Sequence, residues 1–175
     1  MTRTQLIQQL DSYQTPFSEE KDFVQRCLEL LKSNDAFQRT HLPGHITGSA
    51  WVINQNKDQV LLVHHAKLNK WVQPGGHADG NENVLSVALR EAEEETGLNN
   101  FKINETIFDI DIHTIPARKD FPEHQHYDIR YLLEADINQP IVVNEESHDV
   151  RWIPIDGLEK FTLERSVLRM KEKLG

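Results

Sequence analysis

Three glutamates, Glu91, Glu94 and Glu95, stand at i, i+3 and i+4 in a helically patterned run from Asn83 to Thr96. At about 100° per residue this spacing gathers them into roughly a third of a helix circumference. Val84, Leu85, Ala88, Leu89 and Ala92 form the adjoining apolar stripe, so the carboxylates lie at the edge of the inward face. Like charges so spaced repel each other, and partial burial sharpens the penalty. Two resolutions follow. One is a solvated acidic surface with compensating cations, the usual fate of a charge run on a helix. The other is a divalent-cation site, since oxygen ligands grouped within a few ångströms suit Mg2+ or Mn2+. Helical geometry leaves both open.

A second set lies further along. His124, His126 and Asp128 alternate in a strand-like segment and so share one face. They could converge with His77, which follows the pair Gly75-Gly76. The expectation is a pocket wall in contact with substrate; a second metal site and plain polar residues near a strand edge are the alternatives. Trp51, Trp71 and Tyr127 suit packing more than base stacking, and Trp71, beside the glycine-rich loop, is the best stacking candidate. Cys27, among Phe23, Leu30 and Leu31, reads as a core residue. As the single cysteine it excludes an internal disulfide and any cysteine-based zinc site.

These residues need elements to position them. Thr4 to Tyr13 and a second segment, capped by Ser18 and striped by Phe23, Cys27, Leu30 and Leu31, read as helices. Pro43-Gly44 breaks that pattern. Ile46 to Ile53 and Val60 to His64 then read as strands around the polar turn Asn54–Asp58. A loop rich in proline and glycine leads into the acidic helix, which Gly97 stops. Phe101 to Ile115, His126 to Ala135 and Val150 to Ile153 read as strands. Thr162 is placed to cap a last helix with Leu163, Val167, Met170 and Leu174 on one face. The alternation predicts an α/β (α+β) fold: a mixed sheet covered on both sides. The boundaries are an N-terminal helical extension over 1–43 and a main domain over 44–175.

With 175 residues, 38% hydrophobic and 27% charged, the chain can bury a core without staples. Its net charge of −9 argues against a broad grip on nucleic acid. A phosphorylated ligand is still compatible if metal ions invert the local charge. No apolar run reaches membrane-spanning length, and the first residues lack the apolar core of a secretory leader. The expectation is a cytoplasmic protein with no membrane partner and no stable nucleic-acid partner.

From Gly76 the sequence runs Gly-x5-Glu82-x7-Arg90-Glu91-Ala92-x-Glu94-Glu95-x-Gly97-Leu98. This resembles the Nudix box at each fixed position. Seven fixed residues at about 7% usage each coincide by accident at roughly 10⁻⁸ of starting points. One departure is Ala92, where the family usually carries a larger aliphatic residue. The resemblance extends over about Gly44 to Phe161, through Pro74-Gly75-Gly76 and the Val150–Pro154 segment. It implies a Nudix-type α/β/α sandwich around a mixed β-sheet. It further implies a metal held by Glu91, Glu94 and Glu95 with the Gly75 carbonyl. Arg90 would orient Glu91, and Glu82 would hold the loop or touch a metal. A general base would come from the box or from a later loop, where Glu145 and Glu146 are the candidates.

The expected reaction is water attack on phosphorus in the diphosphate linkage of a small molecule, a nucleoside diphosphate derivative, assisted by Mg2+ or Mn2+. Two other readings stand beside it: a diphosphate isomerase, and a non-catalytic ligand-binding regulator on the same fold. The complete box disfavours both. The N-terminal helices would either cover the domain or mediate a homodimer.

Overall fold

The computed structural model describes residues Met1–Gly175. Two helices open the chain, α1 (Arg3–Ser12) and α2 (Ser18–Leu30). Thr2 and Gln5 form a reciprocal capping box that starts α1. Ser18, expected to cap α2, is instead its first helical residue. Phe17 holds the cap position without a side-chain hydrogen bond, and acidic Glu19 and Glu20 fill the first turn.

Seven strands follow: β1 (Gly44–Asn54), β2 (Gln59–His65), β3 (Lys70–Val72), β4 (Gly75–His77), β5 (Lys102–Ile115), β6 (His124–Ala135) and β7 (Ser147–Pro154). Helix α3 (Val84–Thr96) sits between β4 and β5. A 3₁₀ turn (Ile155–Lys160) and α4 (Arg165–Glu172) close the chain. The sheet order is β3-β2-β1-β6-β5, with β4 added to β1 and β7 to β2. β1 and β6 run parallel and every other pairing is antiparallel, so the sheet is mixed.

Side-chain alternation builds a core on each face. Ile46, Ala50 and Val52 of β1 and Ile129, Tyr131 and Leu133 of β6 pack toward α1, α2 and α3. Trp51, Ile53, Val60, Leu62 and Ile153 turn the other way, onto Leu158, Val167 and Met170 of the C-terminal segment. The result is an α/β/α sandwich. The first two helices belong to it physically, since Leu6, Leu10, Val24, Cys27 and Leu31 all sit in the larger core. Full burial of one aliphatic side chain stabilises by about 1.5–3 kcal/mol. Four of them, with Cys27, make these helices a lid on the sheet.

The same helices treat the open edge at β5. Gln9 donates to Glu105 O and accepts from the Ile107 amide, both at 3.0 Å. Glu20 accepts from the Ile110 amide at 3.0 Å, and Tyr13 donates to Phe108 O at 3.1 Å. Side chains thus meet backbone groups that a neighbouring strand would otherwise take.

The last helix departs from expectation at its start. Glu164 holds the cap position, while buried Thr162 accepts from the Glu164 amide at 3.2 Å. The turn so formed leaves Leu163 80% exposed, off the apolar face that Val167 and Met170 do occupy. No helix is long and apolar enough to cross a membrane.

Candidate active site

Helix α3 starts where Asn83 accepts from the Ser86 amide at 3.3 Å and ends at Gly97, whose φ of 75° is left-handed. Val84, Val87, Ala88 and Ala92 are buried beneath it. This fixes the rotation of the helix and grades its acids: Glu95 is buried, Glu91 half-buried and Glu94 exposed.

Two of the three carboxylates face the glycine-rich loop. The Gly75 amide points at Glu95 Oε1 from 3.5 Å. The Glu91 carboxylate lies where a side chain at position 76 would go, so any larger residue there must push it aside. Arg90 reaches Glu91 Oε1 at 2.7 Å, Glu94 Oε2 at 3.1 Å and the His77 carbonyl at 3.2 Å, which ties helix to loop. Glu94 is therefore turned onto Arg90, and the three acids do not close on one point. Glu82 is held away from them by Arg3 of α1, at 2.9 Å. The same guanidinium donates to Ser33 O and Asn34 O.

Burial, and then the neighbouring charge of Glu91, pushes the Glu95 carboxyl up to about 8. Burial raises Glu91 as well, against the opposing pull of Arg90. Two oxygen donors at the loop, both penalised for carrying charge and only one of them paired to a cation, are a donor set that fits a hard divalent ion. The fields of both acids also include Glu146 of the β6–β7 loop. That loop is tied to the end of α3: Asn144 donates to Glu94 O at 3.2 Å and the Val142 amide to Thr96 O at 2.8 Å. Of the two loop candidates, Glu146 is the one close enough to be felt.

On the face of the sheet toward α4 the histidines form a cluster larger than expected. Register aligns His45 of β1 and His113 of β5 with His126 of β6, one row across three strands. His77 of β4 pairs opposite Thr47 and joins the row. Ring centroids are 4.9 Å apart for His45–His126 and His77–His126, 5.1 Å for His45–His124 and 5.3 Å for His45–His77. Burial lowers His77 to about 4 and His126 to about 2, with the neighbouring imidazoles adding to the effect. Burial thus favours the neutral form of His77 and His126.

Asp128 does not join them. Its carboxylate accepts from Thr47 at 3.0 Å, Ser49 at 2.6 Å, Gln73 at 3.3 Å and Arg130 at 2.7 Å. A carboxylate so occupied anchors the sheet, and these hydrogen bonds set it apart from the imidazole row. Trp71, on edge strand β3, is also apart from the histidines. It stacks on His64 at 4.9 Å, lies under the Arg151 guanidinium and meets Phe161 edge-on.

Sequence reasoning missed His45, His113 and Arg39. Arg39 pairs with Asp79, and its charge is felt at His77. For the two histidines a signal existed: His45-x-Thr47-x-Ser49 and Asp109-x-Asp111-x-His113 each put polar residues on one face of a strand.

A profile of the NUDIX domain matches residues 44–173. The probable DHNTP pyrophosphohydrolase of Lactococcus lactis subsp. cremoris is 30% identical over 133 residues, 75% of this chain and 78% of that protein. The asymmetrical bis(5'-nucleosyl)-tetraphosphatase of Mus musculus is 32% identical over 111 residues, 61% of this chain and 69% of that protein. Among solved structures, a NUDIX-family hydrolase from Clostridium perfringens superposes with a TM-score of 0.56 at 28% identity, over 74% of this chain and 95% of that one.

Proposed function

This chain belongs to the NUDIX domain family, and we propose that it hydrolyses a diphosphate linkage in a nucleoside di- or polyphosphate derivative with Mg2+ or Mn2+. It is a Nudix-type hydrolase acting on phosphorus-containing anhydrides. The observation that carries the finer reading is the pair Glu91 and Glu95 set against Gly75 and Gly76. An unneutralised carboxylate pair would repel a diphosphate, so the arrangement makes sense only with a cation between them.

Glu91, Glu95 and the Gly75 carbonyl would hold the ion, with Glu94 joining when it leaves Arg90. Bound there, Mg2+ or Mn2+ supplies charge neutralisation, polarisation of the phosphoryl oxygen and activation of water. Arg90 keeps Glu91 oriented through the 2.7 Å ion pair and holds the loop through the His77 carbonyl. Glu146, whose charge reaches both acids, is the group we assign to receive the proton of the attacking water. The products are two phosphate-bearing fragments, one carrying the oxygen of water.

The names of the two relatives, one a pyrophosphohydrolase and one a dinucleoside tetraphosphatase, support an organic group on a polyphosphate chain as the substrate class. A regulator without turnover would not need two strained carboxylates beside a glycine loop. The test is phosphate or pyrophosphate release from a panel of nucleoside triphosphates, dinucleoside polyphosphates and nucleotide sugars, with each metal and with chelator. Metal-dependent turnover of at least one class is expected. Binding without turnover across the panel would overturn the reading in favour of a ligand-binding module.

A further inference from the structure

The histidine cluster stands on observations separate from the glutamate site. The nitrogen donors of His45, His77 and His126 all lie within 4.8 Å of one another. His45 is 1% exposed. Its Nδ1–H donates to the His41 carbonyl at 3.4 Å, which leaves Nε2 as a bare lone pair. That Nε2 is buried without a hydrogen-bond partner, and so is Nε2 of His126. Two orphaned ring nitrogens in one pocket are costly unless something fills it. His124 stacks on His45 and donates through Nδ1 to the Pro122 carbonyl at 2.9 Å.

No carboxylate completes the set. Asp128 is occupied by the sheet, and Asp111 accepts from Nδ1 of His113 at 3.1 Å. An all-imidazole pocket disfavours Mg2+ and Ca2+, which want oxygen, and suits Zn2+, Co2+ or Ni2+. Nitrogens around a tetrahedral zinc, with bonds of about 2.0–2.1 Å, stand roughly 3.3 Å apart. From a spacing of up to 4.8 Å the three donors would have to draw together around an ion. The occupied second nitrogen of His45 is the arrangement that orients a ligating imidazole.

We propose that His45, His77 and His126 form a transition-metal site of the zinc class, separate from the magnesium-type glutamate site. Such an ion would pin β4 to β1 and β6, and hold His77 in place next to Gly76. The site does not depend on the identity of the diphosphate substrate.

The experiment uses untagged full-length protein stripped with chelator. Co2+ is titrated in while the visible d–d spectrum is followed, and Zn2+ is then added in competition. We expect one Co2+ per chain with the intense band of tetrahedral coordination, displaced by Zn2+ and not by excess Mg2+. His45→Gln and His126→Gln should each weaken Co2+ binding at least about a hundredfold, with circular dichroism showing that both remain folded. Glu94→Gln and Glu95→Gln should keep the band. Absence of stoichiometric Co2+ or Zn2+ binding in the unmodified protein would overturn the proposal whatever the variants do. So would an unchanged band in the folded histidine variants, or its loss in the glutamate ones.

Discussion

Arg169 of α4 forks onto the carboxylate of Asp109 in β5, Nε to Oδ1 and Nη2 to Oδ2, both at 2.9 Å and both partners almost fully buried. Arg130 reaches the same acid at 3.1 Å and Asp111 at 3.4 Å, while Lys173 reaches Asp109 at 2.6 Å and Glu20 at 2.5 Å. The network links α2, β5, β6 and the C-terminus on the same face of the sheet as the histidines. Removing one partner of a buried pair leaves a charge unpaired and costs about 3–5 kcal/mol. Arg169→Met should lower the urea midpoint accordingly, with the residual pairs to Arg130 and Lys173 keeping the loss near the lower end.

Acid should open the same network. Burial alone would raise Asp111 and Asp109, but Arg130 and Arg169, joined by His113 at Asp111 and by Lys173 at Asp109, outweigh it and hold both carboxyls below the usual value of 3.8. A depressed folded value gives stability that is fully present above the unfolded value and lost as pH falls through the folded one. Thermal melts should hold on this account down to about pH 4 and decline below it. In Asp111→Asn the decline should be shallower.

Glu95 should show the opposite sign. Its folded value, raised by burial to about 8 from 4.5, gives stability present below 4.5 that is lost as pH rises through 8. With chelator present, Glu95→Gln should therefore melt higher than the parent protein at pH 9, yet lose at least about a hundredfold in metal-dependent turnover. A variant that keeps full activity with Mg2+ would remove Glu95 from the ligand set.

The two loop acids can be separated by rate. Glu146→Gln should reduce kcat by about 10²–10⁴, the usual span for a lost general base, with KM little changed. Glu145→Gln should stay within a few-fold of the parent. Equal effects would take the proton-accepting role away from Glu146.

Gly76→Ala probes the contact between loop and helix. The added methyl group must displace the Glu91 carboxylate and thus break its alignment with Arg90. Far-ultraviolet dichroism should be unchanged while turnover falls at least tenfold. Full activity would mean that the position of Glu91 is not used.

The parts of this site readable from sequence are those the chain writes contiguously. Gly76 to Leu98 contains loop, helix and stop in one stretch, so periodicity and spacing locate its acids. Burial order within the triad was also implicit, because Ala88 and Ala92 set the inward face. Turning Glu94 onto Arg90 was not, since an exposed i, i+4 pair is a local choice of rotamer. The histidine row was legible in part: His77, His124 and His126 were expected to converge, but the place of His45 among them was not given. His45 and His126 meet through an eleven-pair parallel register between strands about 80 residues apart, and no local pattern specifies that register. Strand alternation likewise put Asp128 on the right face, but could not place it beside the Thr47 and Ser49 hydroxyls that bind it.

The side-chain caps on β5 bear on how this protein can be cut. Gln9, Tyr13 and Glu20 occupy backbone groups of the last strand in the sheet. A fragment beginning at Gly44 would retain every residue of the glutamate box, yet uncover the larger core and leave β5 with only Lys173 on its edge, ready to recruit the same strand from another molecule. Its failure would come as self-association through β5, and concentration-dependent precipitation would precede any loss of hydrolytic chemistry.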